Sequence, residues 1–162
     1  MSDRVAVLKA GRIRQIASPR DIYDKPVDRF VADFIGDSAF VPLTARGRGV
    51  DLAVSEGFRA AHVTGKADPL LLLRPEKIEI VSSPDPQPDL IHFDGVAEDV
   101  LFQGDLVVVH AALADGTRLR LQRGTRQNTM RDLPAVGSRF GMAIHEEDAW
   151  VVSGVSAGEH AQ

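Results

Sequence analysis

The sequence predicts a mainly β chain that closes as a barrel or a sandwich, and three observations carry that expectation. From Ala39 onward, apolar and polar residues alternate with period two over many short runs. Gly, Asp and Pro cluster between the runs, where turns need them. The 162 residues, 44% of them hydrophobic, suffice for one ordinary domain, or for one small domain with an attached piece of another.

Taken in order, residues 5–17, "VAVLKAGRIRQIA", form two short alternating runs that meet at Ala10-Gly11, which predicts a β-hairpin. Ser18 then precedes Pro19, with Asp21 three residues after the serine: a hydroxyl N-cap, a proline in the first turn and an acid at the positive helix end. Lys25-Pro26 interrupts that helix after about one turn. A second helix is predicted over Val27 to Ile35, because Val27, Phe30, Val31, Phe34 and Ile35 make one wide apolar stripe, with Asp28, Arg29 and Asp33 elsewhere and Gly36 as a C-cap. A helix of about ten residues does not persist alone in water, so something must cover its stripe.

The strands expected after it are Phe40 to Arg46, Val50 to Val54, Leu70 to Leu73, Lys77 to Val81, Ile91 to Phe102, Leu106 to Ala112, Thr117 to Gln122, Phe140 to His145 and Ala149 to Val152. Residues 82–89, "SSPDPQPD", carry three prolines and read as a loop. Residues 154–162 are small and polar, and a disordered tail is expected there.

Composition removes several classes of function. Cysteine is absent, so neither a disulfide nor a thiolate metal site is available. The apolar run Val5 to Leu8 is far shorter than a signal-peptide core, and Leu70 to Leu73 cannot span a bilayer. Up to Gly36 there are seven Lys/Arg and five Asp/Glu, a balance of +2; the other twelve basic and eighteen acidic residues give −6. A net-acidic β region with 6% aromatics over the chain is a poor nucleic-acid footprint, and no nucleic-acid partner is expected.

The first forty residues, "MSDRVAVLKAGRIRQIASPRDIYDKPVDRFVADFIGDSAF", resemble the end of the nucleotide-binding domain of an ABC-importer ATPase, where the chain passes into its C-terminal regulatory domain. The later "LLLRPEKIEI", "VLFQGDLVVVHAALADGTRLRL" and "GMAIHEEDAWVV" resemble strands of the OB-type TOBE domain of that family. Within it, "DRFVADFIGDSAF" is most similar to the polyamine and ferric-iron branch. The resemblance implies a remnant of the ATPase domain over residues 1–36, an OB-like TOBE regulatory domain over 37–153 and a tail over 154–162. It also implies that Phe30, Val31, Phe34 and Gly36 belong to a hinge between ATPase core and barrel.

What is missing from the pattern defines the chemistry expected. ATP and magnesium, the cofactors implied for the parent protein, need a glycine-rich loop with lysine and a hydroxyl. The nearest approach, Gly65-Lys66, has Ala60 in place of the earlier glycine and Ala67 in place of the hydroxyl. An acidic strand end and "LSGGQ" are also missing. The chain is therefore expected to be a C-terminal piece of an importer ATPase, or split from one, with no catalytic residues and no cofactor of its own. Its implied partners are an ATPase domain, membrane permease subunits reached through the parent and a second copy of itself. The implied location is the cytoplasmic face of the membrane.

Other constellations remain as candidates. Arg118 and Arg120 alternate with Leu119 and Leu121, followed by Arg123, Arg126 and Arg131; this is either an anion or acidic-partner site or a solvated strand face. Arg74-Pro75-Glu76 ends an apolar strand: Arg74 and Glu76 could pair with each other, bind a small ligand or hold a neighbouring domain. His145-Glu146-Glu147-Asp148 reads as a polar turn, with iron binding a distant alternative and no second histidine at metal spacing. Neither it nor His62, His92, His110 or His160 forms a triad, and no metal site is expected. Two further readings compete with the importer module: a free-standing small-anion or oxyanion-binding OB domain, and a nucleic-acid-binding OB domain.

Overall fold

The computed structural model describes residues 3–43, 65–81, 89–125 and 132–154. The expected strand Val50 to Val54, the end of the strand expected to reach Arg46, most of the 82–89 loop, Arg126, Arg131, His62, His160 and the tail from 155 lie outside them.

The chain opens with the hairpin of β1 (Val5–Lys9) and β2 (Arg12–Ala17). Ala10 and Gly11 both take positive φ, 49° and 75°, the pair of left-handed residues that a two-residue turn between twisted strands requires. Helix α1 (Pro19–Asp24) starts where Ser18 accepts the Asp21 amide, as its sequence predicts. Helix α2 differs from expectation at its start. It spans Arg29–Ile35, and Val27 lies before it, because the Asp28 carboxylate caps the helix by accepting the Val31 amide at 2.9 Å. Val27 instead gives its amide to the Gln15 side chain.

Ten strands in all occur among the described residues. Antiparallel β10 (Trp150–Ser153), β4 (Pro69–Leu73) and β3 (Ala39–Pro42) form one sheet. A second runs β5 (Glu79–Val81), β9 (Arg139–His145), β6 (Leu90–Gln103), β7 (Leu106–Leu113) and β8 (Arg118–Gly124). Strand β6 serves both sides of this sheet: its first half pairs with β9 and its second with β7, with a bulge between Ala97 and Asp99. Gly95 sits at the changeover, where a Cβ would lie 2.7 Å from Met142 Cε and 3.0 Å from the Ala112 carbonyl, so a side chain there would displace the methionine and crowd the carbonyl.

Alternation sends Val41, Leu71, Leu73, Ile91, Phe93, Val107, Val109, Leu121, Ile144 and Val151 from both sheets into one core. Each such Val, Leu or Ile contributes about 1.5–3 kcal/mol by leaving water. The edge strand β8 is tied across to the other sheet by Gln122, whose amide donates to the Pro75 carbonyl at 3.1 Å. A second, small core lies under the hairpin, where Val7, Ile22 and Val31 are buried with Val5, Ala17, Phe30 and Ile35 against them. The seam between the two cores is where Arg74, Glu76 and Gly36 of the sequence-derived candidates come together.

Candidate functional site: a charged seam between helices and barrel

Arg74 directly follows β4, and Pro75 turns the chain behind it, with the Lys77 amide closing the turn on the Arg74 carbonyl at 2.9 Å. The side chain runs back toward the helices and is only 5% exposed. Its Nη1 donates to the carbonyls of Ala32 (3.2 Å), Gly36 (3.0 Å) and Asp37 (3.3 Å) and to Ser38 Oγ (2.7 Å). Its Nη2 donates to the Tyr23 carbonyl at 3.1 Å, and the guanidinium lies 4.2 Å from the Tyr23 ring centroid. One cation from the barrel thus takes carbonyls at the C-terminal ends of α1 and α2 together, where the helix dipoles favour positive charge.

Gly36 is the C-cap of α2, but in an extended conformation, with φ −179°. A side chain there would stand 3.3 Å from Tyr23 Cε2 and 3.4 Å from Arg74 Nη1, so glycine makes room for the guanidinium.

Arg74 and Glu76 do not pair among the described ion pairs. Pro75 sends them to different partners: Glu76 accepts from the Tyr23 hydroxyl. Burial and then this bond to a carboxylate push the Tyr23 phenol up to about 12 from 10.0. Beside it Lys77 Nζ donates to Asp148 at 2.5 Å, and that bond raises the lysine pKa against the opposing effect of burial. The Trp150 indole donates to the Pro26 carbonyl at 2.9 Å. Tyr23, Arg74, Lys77, Asp148 and Trp150 line an open cleft of about 690 Å³ between α1 and the turn Glu146–Asp148.

Sequence reasoning missed several members of the seam, among them Arg14, Tyr23, Lys77 and Asp28. Asp28, read as part of the helix's polar side, is 2% exposed and bound to Arg14 as well as capping α2. Its backbone also bridges to Ser153 at the end of the barrel. The signal was present: an aspartate three residues before Val31, at the head of an apolar run, has N-cap spacing.

The other candidates fall into two groups. Of the expected hinge residues, Val31 is buried and Phe30 is partly buried beside it, whereas Phe34 is 68% exposed, stacked with Phe30 at 6.0 Å. Arg118 and Arg120 point outward from β8 while Leu119 and Leu121 enter the core. Each has a carboxylate: Arg118 meets Glu98 at 3.2 Å and Arg120 meets Asp37 at 3.0 Å. Among the described residues no three His, Cys, Asp or Glu could hold a metal, and no helix is long and apolar enough to cross a membrane.

A family model described as the TOBE domain matches residues 71–152, half of this chain. The chain belongs to the TOBE-domain family. The mainly β, OB-like fold class expected from sequence is the one this TOBE domain has. The chain is also 38% identical over 158 residues to the spermidine/putrescine import ATP-binding protein PotA of Ruegeria pomeroyi, which covers 94% of this chain and 42% of that protein. It is 32% identical over 142 residues to the PotA of Mesorhizobium japonicum, covering 80% of this chain and 35% of the relative. It is 37% identical over 122 residues to the sn-glycerol-3-phosphate import ATP-binding protein UgpC of Cereibacter sphaeroides, covering 75% and 34%. The chain therefore spans less than half the length of these curated relatives. Arg74, inside the matched residues, donates to the carbonyls of Tyr23, Ala32, Gly36 and Asp37, which precede them.

Proposed function

We propose that this chain is the C-terminal regulatory and coupling part of the ATP-binding subunit of an importer, with polyamine as the substrate class and ferric iron as the alternative. Residues 1–36 would be the end of the ATP-binding domain, and 37–153 the regulatory domain. The observation that carries the reading is the Arg74 clasp. A flexible tether would leave hairpin and barrel free to move separately, whereas one buried guanidinium on five acceptors makes the helices move with the barrel. A conformational change at the helices is then coupled to the barrel, and a signal at the barrel that favours one conformation acts back on the helices. Polyamine is favoured because the relative matching 94% of the chain carries that name, although another carries sn-glycerol-3-phosphate.

ATP and magnesium would be bound by the part of the relatives that this chain does not span. The residues present do not fit a nucleotide: Gly65 occupies a tight turn at φ +76°, and Ala67 has no hydroxyl for magnesium. The chain by itself is thus proposed to be no enzyme, to bind no nucleic acid and to work at the cytoplasmic face of the membrane through permease subunits. Exposed Leu8, Ile13 and Ile16 on the hairpin and Phe34 on α2 are the surface proposed to meet the ATP-binding domain, or a second copy when that domain is absent.

The test is a chimera in which this chain replaces the matching part of the Ruegeria protein. Spermidine uptake should persist and should fall with Arg74→Ala while ATP binding is retained. A chimera that folds and binds ATP but never supports uptake overturns the reading. Light scattering of the chain alone should give a dimer, weakened by Phe30→Asp with Phe34→Asp; a monomer at high concentration refutes self-association.

A further inference from the structure

The end of the β6–β7 hairpin is an apolar projection that the seam does not use. Leu101, Phe102 and Leu106 are exposed there, Phe102 to 60%. Leu101 stands opposite Val108 and Gln103 opposite Leu106, so Leu101 and Leu106 share the face turned away from the barrel core, while Phe102 makes the tip apolar on its other face as well. Asp99 lies on the face of Leu101, two residues before it, and Asp105 sits in the turn with Gly104. This apolar strip therefore ends in a carboxylate on either side. From Asp94 to Leu113 there are four Asp/Glu and no Lys or Arg. Arg139 and Arg118 take Asp94 and Glu98, but no cation meets Asp99 or Asp105 among the described ion pairs.

The β1–β2 hairpin carries the opposite pattern. Leu8 pairs with Ile13 and Ala6 with Ile16, which puts these four on the face turned away from Val7 and the small core beneath it. Leu8, Ile13 and Ile16 are exposed. Arg4 stands just before β1 and Arg12 at the turn, so this strip ends in a guanidinium on either side. Residues 3–16 hold four Lys/Arg and one Asp. No carboxylate meets Arg4 or Arg12 among the described ion pairs. Tip against tip would bring carboxylates together, and first hairpin against first hairpin would bring arginines together. Crossing the two sets apolar strip on apolar strip and each carboxylate beside a guanidinium.

We propose that the β6–β7 tip of one copy of this chain docks on the β1–β2 face of a second copy, with Leu101 and Leu106 against Leu8, Ile13 and Ile16, and Asp99 and Asp105 against Arg4 and Arg12. In a two-fold dimer each copy gives one tip and receives the other. The tip lies inside the TOBE-matched residues and the first hairpin before them, so the contact joins the barrel of one copy to the segment that precedes the barrel in the other. The contact deepens the self-association proposed above and rests on it.

The experiment is a charge swap read by light scattering over a concentration series. One variant carries Asp99→Lys with Asp105→Lys, and the other Arg4→Glu with Arg12→Glu, all at exposed positions. Each variant alone should associate more weakly than the parent chain, by roughly tenfold or more, because like charges then meet across the contact. An equimolar mixture of the two should recover the parent's association, since lysine on one tip meets glutamate on the other hairpin and the second contact keeps its original charges. Variants that dimerise as the parent does, or a mixture that stays monomeric, would overturn this contact while leaving self-association standing. A parent chain that is monomeric at high concentration would overturn both. Should either variant lose its far-UV spectrum, the single changes Asp105→Lys and Arg12→Glu, each at a turn, decide by the same mixture.

Discussion

The barrel and the hairpin–helix segment in front of it bury their surfaces by different means. In the barrel, two sheets supply a broad apolar core, and its order follows from pleat and volume. In the segment the apolar cluster is Val7, Ile22 and Val31, with the small Ala32 also buried on α2, too little to fix a seven-residue helix. What fixes it is a set of directed polar contacts: Asp28 at the head of α2, Arg74 at its tail, and Gln15 bridging the Lys25 carbonyl and Val27 amide between the helices. An apolar core tolerates many shapes of similar volume, but a guanidinium on five acceptors tolerates one. The difference teaches that the segment's position relative to the barrel is specified by a few directed polar contacts, those of Arg74, Glu76 and Trp150 among them, while the barrel's integrity is spread over many apolar ones.

The largest effect expected is in the barrel. Leu71→Ala should cost about 3–5 kcal/mol in urea unfolding, since Leu71 is fully buried in β4 and leaves a cavity. Next comes the seam: Arg74→Ala should lower the free energy of opening of α1 and α2 by about 3 kcal/mol, read by amide hydrogen exchange, with β6 and β7 protection nearly unchanged. Arg74→Lys should rescue little, because an ammonium cannot fork between Tyr23 and the end of α2. Equal loss of protection in barrel and helices would erase the distinction between the two regions. Asp28→Ala should cost about 2 kcal/mol by the same readout, through loss of the cap and of the charge facing Arg14.

A smaller effect sharpens the comparison electrostatically. Tyr23 is the chain's one tyrosine, so its absorbance reports this site alone. It should ionise near pH 12, and Glu76→Gln should bring the midpoint down while leaving the part due to burial. The sign is fixed: a folded pKa above 10.0 means the neutral phenol is preferred in the fold, so its contribution is complete below pH 10 and disappears as pH rises through about 12. A midpoint near 10 would show that the phenol does not hold Glu76. Least of all, Phe34→Ser should leave the stability of the chain within about 0.5 kcal/mol, as expected for an exposed site.

How far these features could be read in advance follows from the same contrast. Barrel strands announce themselves by a short apolar run or by alternation, so Leu70 to Leu73 and Ile91 to Phe102 appear with their ends displaced by only a residue. Their ends shift because a partner strand, and not the local pattern, decides the last rung. Seam contacts join residues far apart in sequence: Arg74 to Tyr23, Glu76 to the same residue, Arg14 to Asp28. Local spacing marks Arg74 and Glu76 as charges around a proline but cannot name partners 36 to 53 positions back. Asp28 was open to two local readings, cap or polar face, and the buried Arg14 contact selects the first.

Trp150, the chain's only tryptophan, stands at the start of β10 with its ring nitrogen on Pro26, between the two helices. Its emission is therefore a dye-free optical gauge of whether helices and barrel are touching. Parting them would wet the indole, shifting the spectrum to the red before the sheets melt, and the protein could be watched at work without any label.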